Sequence, residues 1–117
     1  MTYVDAFVLA VPKDKVDFYR TILSRSWELW KEYGATHYVE CIGDDVPYGK
    51  RTSFPRAVEA EDEEVVVLSW LTYPSRAERD AANKKMMSDP RMTDLMKELP
   101  VDGDRMIFGG FETIFEQ

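Results

Sequence analysis

The sequence has little cysteine and little histidine, and these shortages exclude several classes of protein. Its 117 residues include one cysteine and one histidine. A single cysteine cannot form an internal disulfide framework. One cysteine and one histidine cannot supply the four ligands of a Cys/His zinc module, and His37 as the sole histidine also argues against haem chemistry. We therefore expect neither a metal nor a cofactor.

Long apolar runs and an excess of basic residues are also missing. The longest apolar run, residues 6–11, has six residues, whereas a helix needs about 20 to span a bilayer. No basic segment precedes this run, so it does not predict a signal peptide. The 22 acidic and 15 basic residues give a net charge of −7, which argues against binding nucleic acid or an anionic membrane. We expect a cytoplasmic protein.

The composition that remains is that of a folded globular protein. Apolar residues make up 44% and charged residues 32% of the chain, proportions that are typical of such proteins. The chain contains no internal repeat and no Gly/Ser linker. Its length predicts a single domain over residues 1–117.

The pattern of apolar residues predicts the element order β-α-β-β-α-β. Gly34 supplies a stop for the first helix, and Ser75 with Glu78 has the form of a capping box for the second. We predict strands over 3–11, 36–42, 65–73 and 105–115, and helices over 13–33, 75–88 and 92–99. Residues 54–60 fit either a short helical turn or an irregular segment. This order predicts an α+β, ferredoxin-like fold with a four-stranded antiparallel sheet.

Alternation along the first strand divides its side chains between two faces of the sheet. We expect the small side chains to pack under the helices; they are Val4, Ala6, Val8 and Ala10. The opposite set is Tyr3, Asp5, Phe7 and Leu9. Two helices cover one face only, so the second face would expose a large apolar patch. We therefore predict a homodimer in which the sheets pack face to face.

Three acidic residues, Asp5, Glu40 and Glu112, are expected on this second face. Either they pair with arginines at the interface or rim, or they line a small polar pocket between the sheets. In a pocket, burial would raise their pKa values and suit them to general acid or base catalysis. The expected walls and anion anchors of that pocket are Tyr3, Phe7, Trp70, Arg56 and Arg105.

Other chemistry-bearing residues favour structural roles. His37 and Cys41 share a strand face but lie about 13 Å apart, too far for a nucleophile–base pair within one chain. Gly109-Gly110 marks a bulge or a close helix approach. The methionines suit packing between helices or a pliable ligand surface; they are Met86, Met87, Met92 and Met96.

Eight short motifs, in order along nearly the whole chain, resemble those of a known family. They are Tyr3-Val4-Asp5, Val39-Glu40-Cys41, Gly43-Asp44-Asp45-Val46-Pro47, Phe54-Pro55-Arg56-Ala57-Val58, Ser69-Trp70, Ala77 with Arg79-Asp80-Ala81, Asp89-Pro90-Arg91-Met92 and Gly109-Gly110-Phe111-Glu112. In these motifs the chain resembles the bacterial family catalogued as domain of unknown function 1428. It departs from the family at Ala6, where we expect Gly, and at Ile42, where we expect Trp.

The resemblance implies a ferredoxin-like fold of the dimeric α/β barrel type. The wider group of such dimers includes cofactor-independent monooxygenases, lactone isomerases, haem-degrading enzymes and proteins without known activity, so fold alone implies no reaction. One hypothesis is a small-molecule-binding protein or cofactor-independent enzyme, with a pocket between helices and sheet or between the two sheets of the dimer. The alternative is a non-catalytic, stress-associated or regulatory homodimer that meets a protein partner through loops 43–52 and 91–103. A deep pocket with convergent acids favours the first, and acids neutralised by arginines in a shallow cleft favour the second.

Overall fold

Residues 2–117 are described by a computed structural model. The strands are β1 (Tyr3–Pro12), β2 (His37–Ile42), β3 (Glu64–Tyr73) and β4 (Ile107–Glu112). The helices are α1 (Val16–Tyr33), α2 (Phe54–Ala57), α3 (Arg76–Ser88) and α4 (Pro90–Lys97). Short 3-10 turns occupy Lys13–Lys15 and Gly103–Arg105.

The four strands form one antiparallel sheet in the order β2-β3-β1-β4. β1 is central, and its Asp5 lies opposite Leu71 of β3 and Gly110 of β4. Glu40 of β2 lies opposite Ser69 of β3. The predicted α+β, ferredoxin-like architecture is therefore confirmed.

The helix boundaries follow the predicted capping chemistry. Gly34 ends α1 with a φ of 119°, a left-handed conformation in which glycine carries no Cβ penalty. The Ser75 hydroxyl accepts a hydrogen bond from the Glu78 backbone N–H at 3.2 Å and so begins α3. Asp89 begins α4 in the same way, by accepting from the Arg91 backbone N–H at 3.0 Å.

The assignment of the sheet faces was wrong. Tyr3, Asp5, Phe7 and Leu9 face the helices, as Leu9 packing with Tyr19 and Leu23 of α1 demonstrates. Small side chains were expected under the helices because they permit close packing. Instead, the helices stand away from the sheet, and large side chains occupy the space between them.

The opposite sheet face is mostly open. Val8 and Ala10 are covered by Val58, which follows α2. The register leaves the other apolar side chains of this face without a covering helix; they are Val4, Ala6, Val39, Leu68, Trp70, Ile107 and Phe111. Leu68 is 38% exposed and Phe111 is 59% exposed. We call this set the open sheet face.

Two segments differ from the sequence prediction or complete it. β4 is shorter than expected, because Arg105 lies in the preceding 3-10 turn and bonds both carboxylate oxygens of Glu64 at 2.8 Å. The undecided segment at 54–60 begins with the short helix α2, which Ser53 caps. No helix within residues 2–117 is long and apolar enough to cross a membrane.

Candidate functional site

A cavity of about 500 Å³ lies between the sheet and the helices α1, α3 and α4. Its walls are mainly apolar and include Phe7, Leu23, Trp30, Met86, Met96 and Phe108. A cavity of this size and character is typical of small-molecule sites, particularly when a few polar groups converge in it. We call it the sheet–helix cavity.

Helical spacing explains how the two long helices supply its roof. Tyr19, Leu23 and Trp30 share the inward face of α1 because they recur at intervals close to whole turns. Arg79, Asn83 and Met86 stand four and three residues apart on α3 and form a second inward stripe. Polar and apolar side chains therefore enter the cavity from the same helix.

One end of the cavity is built around Glu40. The Tyr19 hydroxyl donates a hydrogen bond to Glu40 Oε1 at 2.8 Å. Glu40 is partly buried, and this desolvation raises the pKa of its carboxyl group, although hydrogen bonding to Tyr38, Tyr19 and Ser69 opposes the shift. We call Glu40 and these three hydroxyl groups the Glu40 end.

The other end is built around Asp5, which is buried. Arg79 Nη1 lies 3.5 Å from Asp5 Oδ1, and Arg79 Nη2 donates to the Tyr3 hydroxyl at 2.9 Å. Burial raises the pKa of Asp5, while the positive charge of Arg79 and a hydrogen bond from Asn83 lower it. Arg79 Nε is buried and forms an ion pair with Asp80 Oδ1 at 3.2 Å. Arg79 therefore joins Asp5, Tyr3 and Asp80 at this Asp5 end.

Gly110 makes room for the Asp5 end. A Cβ atom at this position would overlap the Arg79 guanidinium and the Tyr3 hydroxyl. Gly110 therefore accommodates the side chains of Arg79 and Tyr3, whereas a Cβ atom at Gly109 would meet only the Phe111 ring, at 3.7 Å. The bulge or close helix approach that the sequence predicted for this pair stays a prediction.

The two ends face the same cavity from different strands. Asp5 and Glu40 lie two inter-strand spacings apart, with β3 between them, and are offset by two residues along the strands. At standard strand spacings this places their Cα atoms about 12 Å apart. The surface between them is apolar and is formed in part by Phe7 and Leu71. A single elongated molecule would be long enough to meet a polar group at each end.

Four of the predicted residues lie in or beside the cavity. Asp5, Glu40 and Phe7 line it, and Tyr3 holds Arg79 at its edge. These residues therefore line the space between helices and sheet, one of the two places expected for a pocket, and not the dimeric sheet face. The inverted face assignment caused the difference.

The other predicted residues lie elsewhere. Glu112 is exposed near the end of β4, and Trp70 lies on the open sheet face. The Arg56 guanidinium stacks 3.8 Å from the Tyr48 ring and donates to backbone oxygens of its own loop. Arg105 is held by Glu64, whose pKa it lowers, and by Asp102. Neither arginine faces the cavity.

Sequence reasoning missed four polar residues that line the cavity: Tyr19, Tyr38, Arg79 and Asn83. It predicted a ligand surface as one of two roles for Met86 and Met96, which also line the cavity. The signal for Arg79 and Asn83 was present as a polar pair at helical spacing before Met86. The four methionines have different positions. Met92 is buried in the core, Met86 and Met96 line the cavity, and Met87 is 78% exposed. Residues 2–117 contain no cluster of three or more metal-ligating side chains.

Comparison with known protein families finds one match. The profile described as "Protein of unknown function (DUF1428)" matches residues 2–103. "Uncharacterized protein YbaA" of Escherichia coli strain K12 is 56% identical over 117 residues, which cover 100% of each chain. A protein of the same name from Shigella flexneri is also 56% identical over the full length of each chain.

Several solved structures have the same fold at low sequence identity. A dimeric ferredoxin-like protein from an uncultured marine organism has a TM-score of 0.66 and 9% identity, covering 100% of this chain and 98% of that one. SnoaB, a cofactor-independent oxygenase from Streptomyces nogalater, has a TM-score of 0.63 and 10% identity, covering 98% and 95%. A dimeric ferredoxin-like protein from Jannaschia has a TM-score of 0.60 and 13% identity, covering 95% and 99%. At these identities the likeness establishes the fold alone.

Proposed function

The chain belongs to the family described as "Protein of unknown function (DUF1428)", and from the geometry of this member we propose that it binds a small, largely apolar molecule in the sheet–helix cavity. The observation that carries the proposal is a cavity of about 500 Å³ with apolar walls and a polar group at each end. Apolar walls supply most of the binding free energy in such sites, and the few polar groups fix the orientation of the ligand.

The cavity also supports a role in chemistry on the bound molecule. The pKa values of Asp5 and Glu40 are both raised by burial, and a carboxyl group with a raised pKa is suited to proton transfer near neutral pH. We propose these two residues as the acid and base groups of a cofactor-independent reaction. One protein of the same fold is described as a cofactor-independent oxygenase, which is an analogy of fold and carries no reaction over to this chain.

The alternative of a non-catalytic partner-binding protein receives less support from the same geometry. That hypothesis expects the acids to be neutralised by arginines in a shallow cleft. Asp5 does have an arginine beside it, at 3.5 Å. Glu40 instead accepts a hydrogen bond from Tyr19 and lines a cavity with apolar walls. The ligand-binding hypothesis accounts for both ends.

We further propose that the chain forms a homodimer through its open sheet face. Leu68, Ile107 and Phe111 are 38%, 44% and 59% exposed on this face, and contiguous apolar patches of that kind mark interaction surfaces. Solved proteins of the same fold are described as dimeric. A second copy of the chain, related by twofold symmetry, is the occupant that we propose.

A larger side chain in the cavity should weaken ligand binding. Met86 of α3 lines the cavity, so Met86→Trp would place a larger side chain in the space that a ligand needs. We expect the affinity for the uncharged fluorescent probe N-phenyl-1-naphthylamine to fall about tenfold, the effect of overfilling a packed space. The measurement is a fluorescence titration of both proteins with this probe.

Met87→Trp is the matched control for this titration. Met87 is the next residue of α3 and is 78% exposed outside the cavity, so the same substitution there should leave probe binding unchanged. Equal affinities of the wild-type chain and the Met86→Trp variant, or no binding by the wild-type chain, would contradict the proposed function.

A further inference from the structure

The charge balance of the sheet–helix cavity is negative. Its charged lining residues are Asp5, Glu40 and Arg79. Arg79 is already matched, because it lies 3.5 Å from Asp5 and 3.2 Å from Asp80. Glu40 therefore contributes a negative charge that no basic side chain lining the cavity balances. Buried charges in proteins are normally paired or hydrogen-bonded, because leaving them unpaired in an apolar setting is unfavourable.

The hydroxyl groups around Glu40 oppose the effect of burial, which raises the pKa of its carboxyl group, and they leave it without a counter-ion. Hydroxyl groups reach it from three elements: Tyr19 from α1, Tyr38 from its own strand and Ser69 from β3. Hydroxyls that donate to a carboxylate stabilise the negative charge. A carboxylate accepts about four hydrogen bonds, so the bond from the Tyr19 hydroxyl at 2.8 Å leaves acceptor positions for further donors.

Two of the groups beside Glu40 are aromatic. The rings of Tyr19 and Tyr38 line the cavity, and their hydroxyl groups interact with this carboxyl group. Aromatic faces attract organic cations through their quadrupoles, and the attraction is larger where water is excluded. A carboxylate with aromatic neighbours and no basic partner therefore has the chemistry that recognises an organic ammonium group.

From this arrangement we infer that the cavity takes an apolar amine, with the ammonium group on Glu40 and the hydrocarbon or aromatic body along Phe7 and Leu71. This inference rests on the proposed function and specifies the class of ligand. The ammonium N–H groups donate to the free acceptor positions of Glu40. The apolar body lies in the middle of the cavity, and the polar side chains of Asp5, Asn83 and Arg79 lie at the far end.

The test compares two molecules of nearly the same shape and different charge. The probes are 1-naphthylmethylamine, which is cationic near neutral pH, and 1-naphthylmethanol, which is neutral. Each displaces N-phenyl-1-naphthylamine from the wild-type chain at a pH of about 7.5. We expect the amine to bind about tenfold more tightly than the alcohol, the preference expected of a hydrogen bond between charged groups.

Removing the charge of Glu40 should remove the preference. In Glu40→Gln, the amine and the alcohol should bind with equal affinity, while N-phenyl-1-naphthylamine still binds. Glu28→Gln is the matched control, because it removes the same charge from an exposed position of α1. That variant should keep the preference for the amine.

The preference should also depend on pH. Protonation of Glu40 removes the negative charge, so the advantage of the amine should decline as the pH falls through the raised pKa of this group. The other charged groups of the cavity, Asp5 and Arg79, lie across it on β1 and α3. Glu40→Gln should abolish this pH dependence.

The outcomes separate the inference from the proposed function. Equal binding of the amine and the alcohol to the wild-type chain, with N-phenyl-1-naphthylamine bound, would overturn the amine inference alone. An amine preference that survives in Glu40→Gln would also overturn it. Failure of all three probes to bind the wild-type chain would overturn both proposals.

Discussion

A chain that carries Leu68→Glu and Phe111→Glu together is expected to be a monomer of 13.6 kDa, whereas the wild-type chain is expected at twice that mass. Both positions lie on the open sheet face and are already exposed in the single chain, at 38% and 59%. The glutamates therefore remain in water in a monomer. In a face-to-face dimer they would be buried without partners, in both copies, at a penalty of several kcal/mol.

Native mass spectrometry and analytical ultracentrifugation at micromolar concentration measure this outcome. Met87→Glu is the control, because Met87 is 78% exposed on α3, away from the open sheet face. Its mass should stay that of the wild-type chain. The dimer proposal fails if the wild-type chain is itself a monomer, or if the double variant keeps the wild-type mass while remaining folded by circular dichroism.

Replacing Arg79 with methionine should destabilise the protein by about 3 kcal/mol near neutral pH, the lower end of the range for breaking a buried ion pair. The side chains of Asp5 and Arg79 are 7% and 18% exposed. Without Arg79, Asp5 would lose its nearest positive charge in a buried position. The lower end applies because the two groups are 3.5 Å apart and Arg79 keeps some contact with solvent.

Arg76→Met provides the comparison for chemical denaturation. Arg76 lies on the same helix, and its side chain is 72% exposed in an ion pair with Asp80 at 3.6 Å. Its loss should change the free energy of unfolding by less than about 0.5 kcal/mol. Asp5→Asn added to Arg79→Met should recover part of the stability, because the buried charge is then gone. Equal losses in Arg79→Met and Arg76→Met would contradict a special role for the Asp5–Arg79 pair.

The Arg79→Met deficit should also depend on pH in a defined direction. Burial already raises the pKa of Asp5, and loss of Arg79 removes a positive charge that lowers it. A carboxyl group whose pKa is higher in the folded than in the unfolded state stabilises the fold at low pH and loses this effect as the pH rises. The deficit should therefore shrink as the pH falls towards about 4, the ordinary pKa of aspartate, and unfolding curves at several pH values measure it.

The polar groups at the two ends of the cavity affect both ligand binding and the stability of the fold. Glu40 is kept in an apolar setting that raises its pKa, and the same carboxylate supplies the acceptor that the proposed amine needs. Ionisable groups whose pKa values are shifted by burial in this way are concentrated at functional sites. The buried Asp5–Arg79 pair and the space that Gly110 leaves for the guanidinium group belong to the same pattern.

Local chemistry in the sequence determined the order of the elements and most of their ends. Pro12, Gly34, Ser75 and Asp89 act on the backbone within a few residues of themselves, so their effects can be predicted without knowing the rest of the fold. The alternation along β1 likewise separated Asp5 and Phe7 from Val4 and Ala6 by geometry alone. Sequence reasoning also selected Asp5, Glu40 and Phe7, which do line the cavity.

The tertiary structure decided which face of the sheet the helices cover. Alternation divides the side chains between two faces but does not indicate which face the helices cover. Side-chain size predicted the wrong face, because the helices leave a cavity above the sheet. Arg79 reaches Asp5 because α3 packs against β1 and Gly110 leaves room for the guanidinium group, and Tyr19 reaches Glu40 because the tertiary fold brings α1 to β2. These contacts join residues 74 and 21 positions apart, respectively, and are therefore set by the packing of elements and not by local sequence.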